Sequence, residues 1–213
     1  MEITISHLYK RYRGENLLHD ITMHIPGGIF GLLGSNGAGK STLLRILATR
    51  LRPTAGTVTV GPYDLASPRA RQALRAHLGY APQLLALPPK LTGRQFLEYV
   101  ALLKGMSGPK LRHNEVCLLL EELRFEQIAD QKIGSYSLGS CRRLSVAQAL
   151  LGDPELLILD DPFTNLDSEA LLNVKMALLR RAHRCTIVLA LNHIEHVEQF
   201  CQRTAFLDKG AVV

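Results

Sequence analysis

The sequence lacks any uncharged apolar stretch close to the roughly 20 residues that a membrane-spanning helix requires. Its long apolar runs, such as residues 156–159 and 185–191, are far shorter. Residues 1–6 alternate as a strand does, and they lack the basic start and the apolar middle of a signal peptide. We therefore expect a chain that does not span a bilayer and that stays in the cytosol.

Cysteine is scarce and long runs of like charge are absent. The four cysteines form no C-x-x-C pair, so we expect reduced, mostly buried thiols rather than a zinc ribbon or a disulfide framework. Lysine and arginine outnumber aspartate and glutamate by 25 to 19, but no five like charges follow one another. A surplus spread in this way is usual for a solvated surface, and composition does not decide which part of it faces phosphates or acidic lipids.

The chain has 213 residues, of which 46% are apolar, and this suffices for one domain with a sizeable core. No internal repeat, low-complexity tract or linker divides it. Short apolar runs typical of buried strands alternate with helix-like segments, at residues 29–33, 156–159, 186–191 and 204–207. This alternation predicts an α/β fold with parallel strands. Residues 84–151 are instead rich in leucine at helical spacing, which predicts a helical lobe inserted into the α/β core.

The strongest local signal is the segment GSNGAGKST between an apolar strand and a helical run. It matches the phosphate-binding pattern G-x-x-x-x-G-K-[ST] in the context that this pattern requires. Triphosphate oxygens need backbone N–H donors at close range, which glycines and a helix N-terminus supply. We expect Lys40 to bridge the β- and γ-phosphates, Ser41 to ligate Mg²⁺ and Thr42 to bind the α-phosphate. The predicted nucleotide-binding residues here are Gly34, Ser35, Asn36, Gly37, Ala38, Gly39, Lys40, Ser41 and Thr42.

A second signal is the apolar run at 156–159, which ends abruptly in Asp160 and Asp161. Carboxylates at the carboxyl end of a central strand lie in the crevice where open α/β sheets bind ligands. We expect Asp160 to hold Mg²⁺ through water, because Mg²⁺ takes few protein carboxylates and keeps several waters. Asp161 is then the candidate that orients or deprotonates the attacking water.

Together these segments resemble the ATP-binding cassette (ABC) family of ATPases, in the same order over essentially the whole chain. The resemblance implies that Tyr12 stacks on adenine and that Gln83 contacts both Mg²⁺ and the attacking water. It also implies that Asp167 lies in a loop touching the opposite subunit and that His193 reaches the γ-phosphate. The implied catalytic residues are Asp161, His193, Gln83 and Lys40, and the implied magnesium ligands are Ser41, Gln83 and Asp160.

The family signature, L-S-G-G-Q followed by two residues and arginine, is similar to YSLGSCRR at residues 136–143. The resemblance implies that Ser137 and Gly139 face an ATP held by the other subunit. Residues 142–151 resemble the branch that powers many bacterial exporters of drugs, peptides and polymers. Two departures stand out, since Leu138 replaces the first glycine and Asp161 stands where most active members have glutamate. The side chain of aspartate is one methylene shorter than that of glutamate. A displacement of the carboxylate by roughly 1 Å from the reacting geometry can cost on the order of 10²-fold in rate, so we expect slow turnover.

The resemblance further implies a P-loop NTPase (RecA-like) core at about residues 1–83 and 152–213. An N-terminal antiparallel β region belongs to that core, and a helical subdomain at about 84–151 is inserted into it. The implied role is the nucleotide-binding subunit of an ABC transporter, an exporter, with ATP and Mg²⁺ as its cofactors.

Two partners follow from this resemblance. A second cassette, in a homodimer or a heterodimer, would sandwich two ATP molecules with this one. A polytopic membrane subunit would bind at an exposed apolar groove formed by Gln83 and the loop from Leu84 to Pro89. The chain would then lie on the cytoplasmic face of the cell membrane through that subunit.

Two other function classes remain open. One is an ABC ATPase that acts on nucleic acid, although no sustained heptads follow Gln83 and the chain holds one cassette. The other is a degenerate cassette that binds nucleotide and regulates an active partner, which Leu138 and Asp161 keep in consideration. Salt-dependent nucleic-acid binding would favour the first class, and ATPase activity that appears only on mixing with another cassette would favour the second. We expect no nucleic-acid partner.

Overall fold

A computed structural model describes residues 1–84, 86–192 and 200–213. Its strands are β1 (Ile3–Tyr12), β2 (Glu15–Ile25), β3 (Gly28–Leu33), β4 (Ala55–Val60), β5 (Tyr63–Asp64), β6 (Leu78–Ala81), β7 (Leu156–Asp160), β8 (Thr186–Leu191), β9 (Arg203–Asp208) and β10 (Ala211–Val212). Its α-helices are α1 (Lys40–Leu47), α2 (Pro68–Leu74), α3 (Gly93–Leu103), α4 (Pro109–Glu122), α5 (Glu126–Ala129), α6 (Leu138–Leu150) and α7 (Ser168–Arg181).

The described strands form two sheets. An N-terminal antiparallel sheet has the order β2-β1-β4-β5, and a larger sheet has the order β10-β9-β3-β8-β7-β6. In the larger sheet, β9, β3, β8, β7 and β6 pair in parallel, and β10 is antiparallel at one edge. The α/β fold with parallel strands and an N-terminal antiparallel region is therefore confirmed.

The central strands are buried on both faces, as expected of a parallel sheet covered by helices. Every residue of β7 and β8 is buried. Alternate residues of β7 belong to opposite sides of the core, with Leu157 and Leu159 on one side and Leu156 and Ile158 on the other. The apolar runs that predicted strands are confirmed, because buried parallel strands are continuously hydrophobic rather than alternating.

Residues 93–150 contain α3 to α6 and no named strand in their described backbone. Side-chain caps mark the starts of α3 and α6. Thr92 forms a capping box with Gln95 at α3, and Ser137 accepts a hydrogen bond from the Ser140 amide at α6. The helical segment follows the predicted leucine pattern, while the division into a core and an inserted subdomain stays a prediction. Within the described ranges, no helix is both long and apolar enough to cross a membrane.

Candidate functional site

The carboxyl ends of the parallel strands converge on a pocket of about 370 Å³. The phosphate loop follows β3, Asp161 follows β7, Asn192 follows β8, and Gln83 lies two residues beyond β6. Parallel strands place these ends at one edge of the sheet, which is where open α/β sheets bind ligands. The described residues that line the pocket are Leu17, Ser35, Asn36, Gly37, Ala38, Gly39, Lys40, Ser41, Thr42, Gln83, Asp160, Asp161, Ala190 and Asn192.

Gly39 shows why the loop before α1 needs glycine. Its φ of 103° lies in the left-handed region, and a Cβ there would come within 2.9 Å of the Leu17 carbonyl oxygen. Glycine alone tolerates both the backbone angle and the close approach. The bare backbone brings the start of α1, with its unpaired N–H groups, into the pocket, as an anion site requires.

Lys40 is the cation of the pocket and is only 8% exposed. Its Nζ donates hydrogen bonds to the carbonyl oxygens of Gly34, at 2.6 Å, and Ser35, at 3.0 Å. Burial lowers the pKa of Lys40, and the nearby charges of Asp160 and Asp161 oppose that shift. The ammonium is therefore held within its own loop, beside the space that the pocket encloses.

Asp160 is buried at the end of β7, and its Oδ2 makes no hydrogen bond within the described residues. Burial raises the pKa of this carboxyl group, and a hydrogen bond with Ser41 is the largest opposing influence. A buried carboxylate oxygen without a partner is costly unless another group compensates it. The oxygen atoms of Asp160 and Ser41 are the ligand type that Mg²⁺ prefers, so these residues fit a magnesium ion.

Asp161 has a φ of 54°, in the left-handed region that few non-glycine residues adopt. Its amide donates to the carbonyl oxygen of Ala190 at 3.0 Å, and its Oδ2 accepts from Nδ2 of Asn192 at 3.1 Å. Both bonds tie Asp161 to β8 and the residue after it. The carboxylate consequently has a defined position at the wall of the pocket, although only 8% of the residue is exposed.

Gln83 lines the pocket, and the backbone around it is held by α6. The guanidinium of Arg142 donates to the carbonyl oxygens of Pro82, at 3.1 Å, and Gln83, at 2.7 Å. Gln148, further along α6, donates from Nε2 to the carbonyl oxygen of Tyr80 at 2.6 Å. The helix that begins at the signature segment is thereby bonded to the strand end that leads into the pocket.

Several predicted site residues do not line the pocket within the described part of the chain. Gly34 contributes its carbonyl to Lys40 instead. Tyr12 lies at the end of β1, 56% exposed, with the Arg13 guanidinium 5.4 Å from its ring centroid. Asp167 caps α7 by accepting a hydrogen bond from the Ala170 amide at 2.8 Å. His193 lies outside the described residues.

The signature segment also lies away from the pocket of its own chain. Ser137 caps α6, and its Oγ is 3.0 Å from Oγ of Ser140. A Cβ on Gly139 would lie 2.4 Å from the carbonyl oxygen of Asn165, so glycine permits a close contact with the loop before α7. Leu138, which replaces the usual glycine, is 73% exposed at the first position of α6.

The loop after Gln83 differs in part from the predicted apolar groove. Leu84 is 89% exposed, whereas Leu87 is partly buried and packs against the main hydrophobic core. Leu85 lies outside the described residues. The exposed apolar surface of this loop is therefore narrower than we expected, because Leu87 contributes to the core.

Sequence reasoning missed Leu17, Ala190 and Asn192 in the pocket. Asn192 directly precedes His193, so its position after a predicted strand was a usable signal. Leu17 had none, since its place beside Gly39 depends on how β2 packs against the phosphate loop.

A second cleft of about 540 Å³ was also missed, and its described lining is Ala48, Thr49, Arg50, Arg75, Leu78, Tyr80, Pro82, Lys104 and Gln148. Three of these residues are basic and none is acidic. Arg75 donates from Nε to Oγ1 of Thr49 at 2.8 Å, and Lys104 donates from Nζ to the carbonyl oxygen of Leu151 at 2.6 Å. Burial lowers the pKa of Lys104 to about 8. We call this site the basic cleft.

Comparison with curated proteins identifies relatives along almost the whole chain. A Nod factor export ATP-binding protein from Paraburkholderia xenovorans is 37% identical over 205 residues, which cover 94% of this chain and 66% of that protein. A daunorubicin resistance ATP-binding protein from Streptomyces coeruleorubidus is 34% identical, with coverage of 99% and 66%. The chain thus spans just under two thirds of the length of these two relatives.

Solved structures show the same fold. One, described as the ATP binding subunit of an ABC transporter, superposes with a TM-score of 0.89 at 26% identity and covers 100% of this chain and 88% of that one. Another is a dimeric ATP-binding cassette in a post-hydrolysis state bound to ADP and Pi, with a TM-score of 0.89, 25% identity and coverage of 99% and 96%. A sequence profile of the ABC transporter family matches residues 18–164. The chain therefore belongs to the ABC transporter family and has the fold of its ATP-binding cassette.

Proposed function

We propose that this chain binds and hydrolyses ATP to drive a separate membrane protein, and that the system is an exporter. The observation that carries the proposal is the pocket in which Lys40 lies beside Asp160 and Asp161 at the start of α1. Such a pocket offers an anion both backbone N–H groups and an ammonium, and it offers a metal a carboxylate. The name of the relative from Paraburkholderia xenovorans, a Nod factor export ATP-binding protein, supports the direction of transport.

Three residues would hold magnesium together with the nucleotide: Asp160, Ser41 and Gln83. The fit rests on the unpartnered buried Oδ2 of Asp160 and its neighbour Ser41. When bound, the ion neutralises charge on the phosphate oxygens. The chain's own contribution is electrostatic, because Lys40 and the start of α1 stabilise charge on the transferring phosphoryl group.

Asp161 is the group that we propose to act on water. The water oxygen bonds to the γ-phosphorus while the bond from that phosphorus to the bridging oxygen of ADP breaks, and Asp161 accepts the proton that the water loses. His193 is proposed to reach the γ-phosphate and Tyr12 to stack on adenine. We expect slow turnover, since an aspartate side chain is one methylene shorter than the glutamate of most active members.

A second cassette would complete each site. Ser137, Gly139 and Asp167 lie outside the lining of their own pocket, and the dimeric state of a similar cassette supports a role for them across an interface. The start of α6 would then face the γ-phosphate of the other copy, as helix N-termini face anions. The exposed Leu138 would lie at that contact.

The membrane subunit is proposed to bind at the basic cleft and at the exposed Leu84, which follows the cleft residue Pro82 by two positions. The three cations Arg50, Arg75 and Lys104 fit a segment that carries acidic residues. Pro82 lines the basic cleft while the next residue, Gln83, lines the nucleotide pocket. Through this partner the chain would lie on the cytoplasmic face of the membrane.

The test is phosphate release from Mg-ATP by the purified chain, compared with the Asp161→Asn variant. Removal of a general base typically costs 10²- to 10⁴-fold, so we expect slow release that the substitution reduces by about 10²-fold or more. Nucleotide affinity, measured by calorimetry, should change little. Equal release by the two proteins would overturn the proposed role of Asp161 in hydrolysis.

One alternative has its own structural support, namely a cassette that binds ATP and regulates a partner that hydrolyses it. The exposed Leu138 at the first position of α6 favours this alternative, because in the proposed dimer it would stand beside the other copy's phosphate, where the family signature has a glycine. Hydrolysis that appears only when a second type of cassette is added would select it.

A further inference from the structure

Asn192 and Asp161 form a side-chain pair at the edge of the nucleotide pocket. The strands β7 and β8 run in parallel, with Asp160 opposite Ala190 in the register. The residues that follow each strand are therefore neighbours, and Nδ2 of Asn192 donates to Oδ2 of Asp161 at 3.1 Å. In the described part of the chain, Asn192 is the side chain that bonds to this carboxylate.

We propose that Asn192 is a positioning residue for the hydrolysis of ATP. It holds one oxygen of the Asp161 carboxylate and so directs the other oxygen, Oδ1, toward the attacking water. The inference rests on the proposed function, in which Asp161 takes the proton from that water. In this proposal Asn192 acts on the Asp161 carboxylate and not on the nucleotide.

The short side chain of Asp161 gives this bond its importance. The backbone of Asp161 is fixed by the bond from its amide to Ala190 and by its left-handed φ of 54°. Two side-chain torsions then decide where the carboxylate lies, and the amide of Asn192 restricts both. A base held by a third group in this way is the usual arrangement in acid–base catalysis. A carboxylate that lacks the hydrogen bond would spend less time in the productive orientation.

A merely structural role for Asn192 makes a different prediction. Asn192 follows the last residue of β8, so a residue there that only ended the strand would act on folding and not on the rate. Both Asn192 and Asp161 line the pocket, which places their bond beside the reacting groups. The two roles are therefore separable by measuring kcat and KM together with stability.

The first experiment measures steady-state hydrolysis of Mg-ATP by the full chain and three variants. Asn192→Ala removes the donor, Asn192→Asp keeps the size but removes the N–H groups, and Asn192→Gln keeps an amide. We expect kcat to fall about tenfold in Asn192→Ala, as for loss of a hydrogen bond to a charged group, and further in Asn192→Asp. The KM for ATP and the calorimetric affinity should stay within about twofold, and Asn192→Gln should recover most of kcat.

The second experiment repeats Asn192→Ala in an Asp161→Glu background. A longer side chain carries its carboxylate past the amide, so the tenfold loss should shrink to about twofold or less. An equal loss in both backgrounds would show that Asn192 does not act through Asp161 and would overturn the inference. An unchanged kcat in Asn192→Ala, in a chain that does hydrolyse ATP, would overturn it as well. A wild-type chain with no turnover would refute the proposed function first and this inference with it.

Discussion

The nucleotide pocket and the basic cleft differ in the signs of the charges that they contain. The pocket combines Lys40 with two carboxylates, Asp160 and Asp161, whereas the described lining of the basic cleft holds three cations and no acid. A site with both signs suits an anion that arrives with its own metal cation, since the carboxylates would otherwise repel it. A site with cations alone suits an acidic protein segment. The signs of the charges, more than the volumes of about 370 and 540 Å³, therefore indicate which ligand each cleft suits.

The two clefts meet at one stretch of backbone. Pro82 lines the basic cleft and Gln83 lines the nucleotide pocket. Arg142 of α6 donates hydrogen bonds to the carbonyl oxygens of both residues. A movement of this segment therefore has to involve both clefts and α6. We propose this three-way contact as the route by which nucleotide binding and partner docking influence each other.

The largest effect expected in this comparison belongs to the nucleotide pocket. Asp161→Glu should raise turnover by up to about 10²-fold, because the longer side chain restores the reach that the aspartate lacks. Affinity for the membrane partner should not change, since the substitution lies outside the basic cleft. Steady-state phosphate release measures the effect, with Leu138→Gly as the control. A rate that rises in Leu138→Gly and not in Asp161→Glu would place the slow step at the signature.

Charge reversal in the basic cleft should act on docking alone. Arg50→Glu is expected to weaken association with the proposed membrane subunit about tenfold at low salt, because a glutamate there repels an acidic partner segment. Nucleotide affinity should be unaffected. Arg203→Glu, on the exposed start of β9, is the matched control. Tighter association in the Arg50 variant would show that the partner segment is basic.

Arg142→Ala tests the contact between the clefts. Loss of hydrogen bonds from a charged donor should lower the free energy of unfolding by about 1 kcal/mol, measured by urea unfolding. Basal hydrolysis should fall less than the stimulation of hydrolysis by the membrane subunit. Arg142→Lys retains the charge but not the forked donor geometry, so it should lose most of the same stimulation. Full stimulation in both variants would argue against this route.

The smallest expected effect is a pH dependence from Lys104. Burial lowers its pKa to about 8 in the folded protein, against an ordinary value of 10.5. Between these two pH values the unfolded chain binds more protons than the folded protein does. The contribution of Lys104 to the free energy of unfolding therefore increases as the pH rises. The free energy of unfolding of the wild type, relative to Lys104→Met, should increase by about 1 kcal/mol from about pH 8 to about pH 9. A decrease over that range would contradict the burial of the ammonium.

Local patterns in the sequence were enough to predict β3, β7, β8 and β9, the start of β1 and the glycine-rich loop after β3, but not the other strands of the two sheets. Buried parallel strands are continuous apolar runs, and the segment before Lys40 requires glycines for steric reasons that hold in any such loop. The place of Asp160 and Asp161 in the pocket was also predictable, because the carboxyl ends of parallel strands meet at one edge of the sheet.

Contacts between distant parts of the chain could not be predicted in this way. The basic cleft takes Arg50, Arg75 and Lys104 from three separate segments, and Arg142 reaches carbonyls about sixty residues earlier. The partial burial of Leu87 against the main core could not be predicted, because a leucine pattern alone does not tell which side chain enters the core. These features depend on how helices pack against the sheet, and no local sequence pattern encodes that packing.

The most direct test of the central claim is calorimetric titration of Mg-ATP into the purified chain and two lysine variants. We predict measurable binding that Lys40→Ala weakens by about 100-fold, as expected when a buried charged partner is removed. Lys104→Ala, in the basic cleft, should bind Mg-ATP as the wild type does. An absence of binding heat in the wild type, or equal affinity in the Lys40→Ala variant, would contradict a nucleotide site in this pocket.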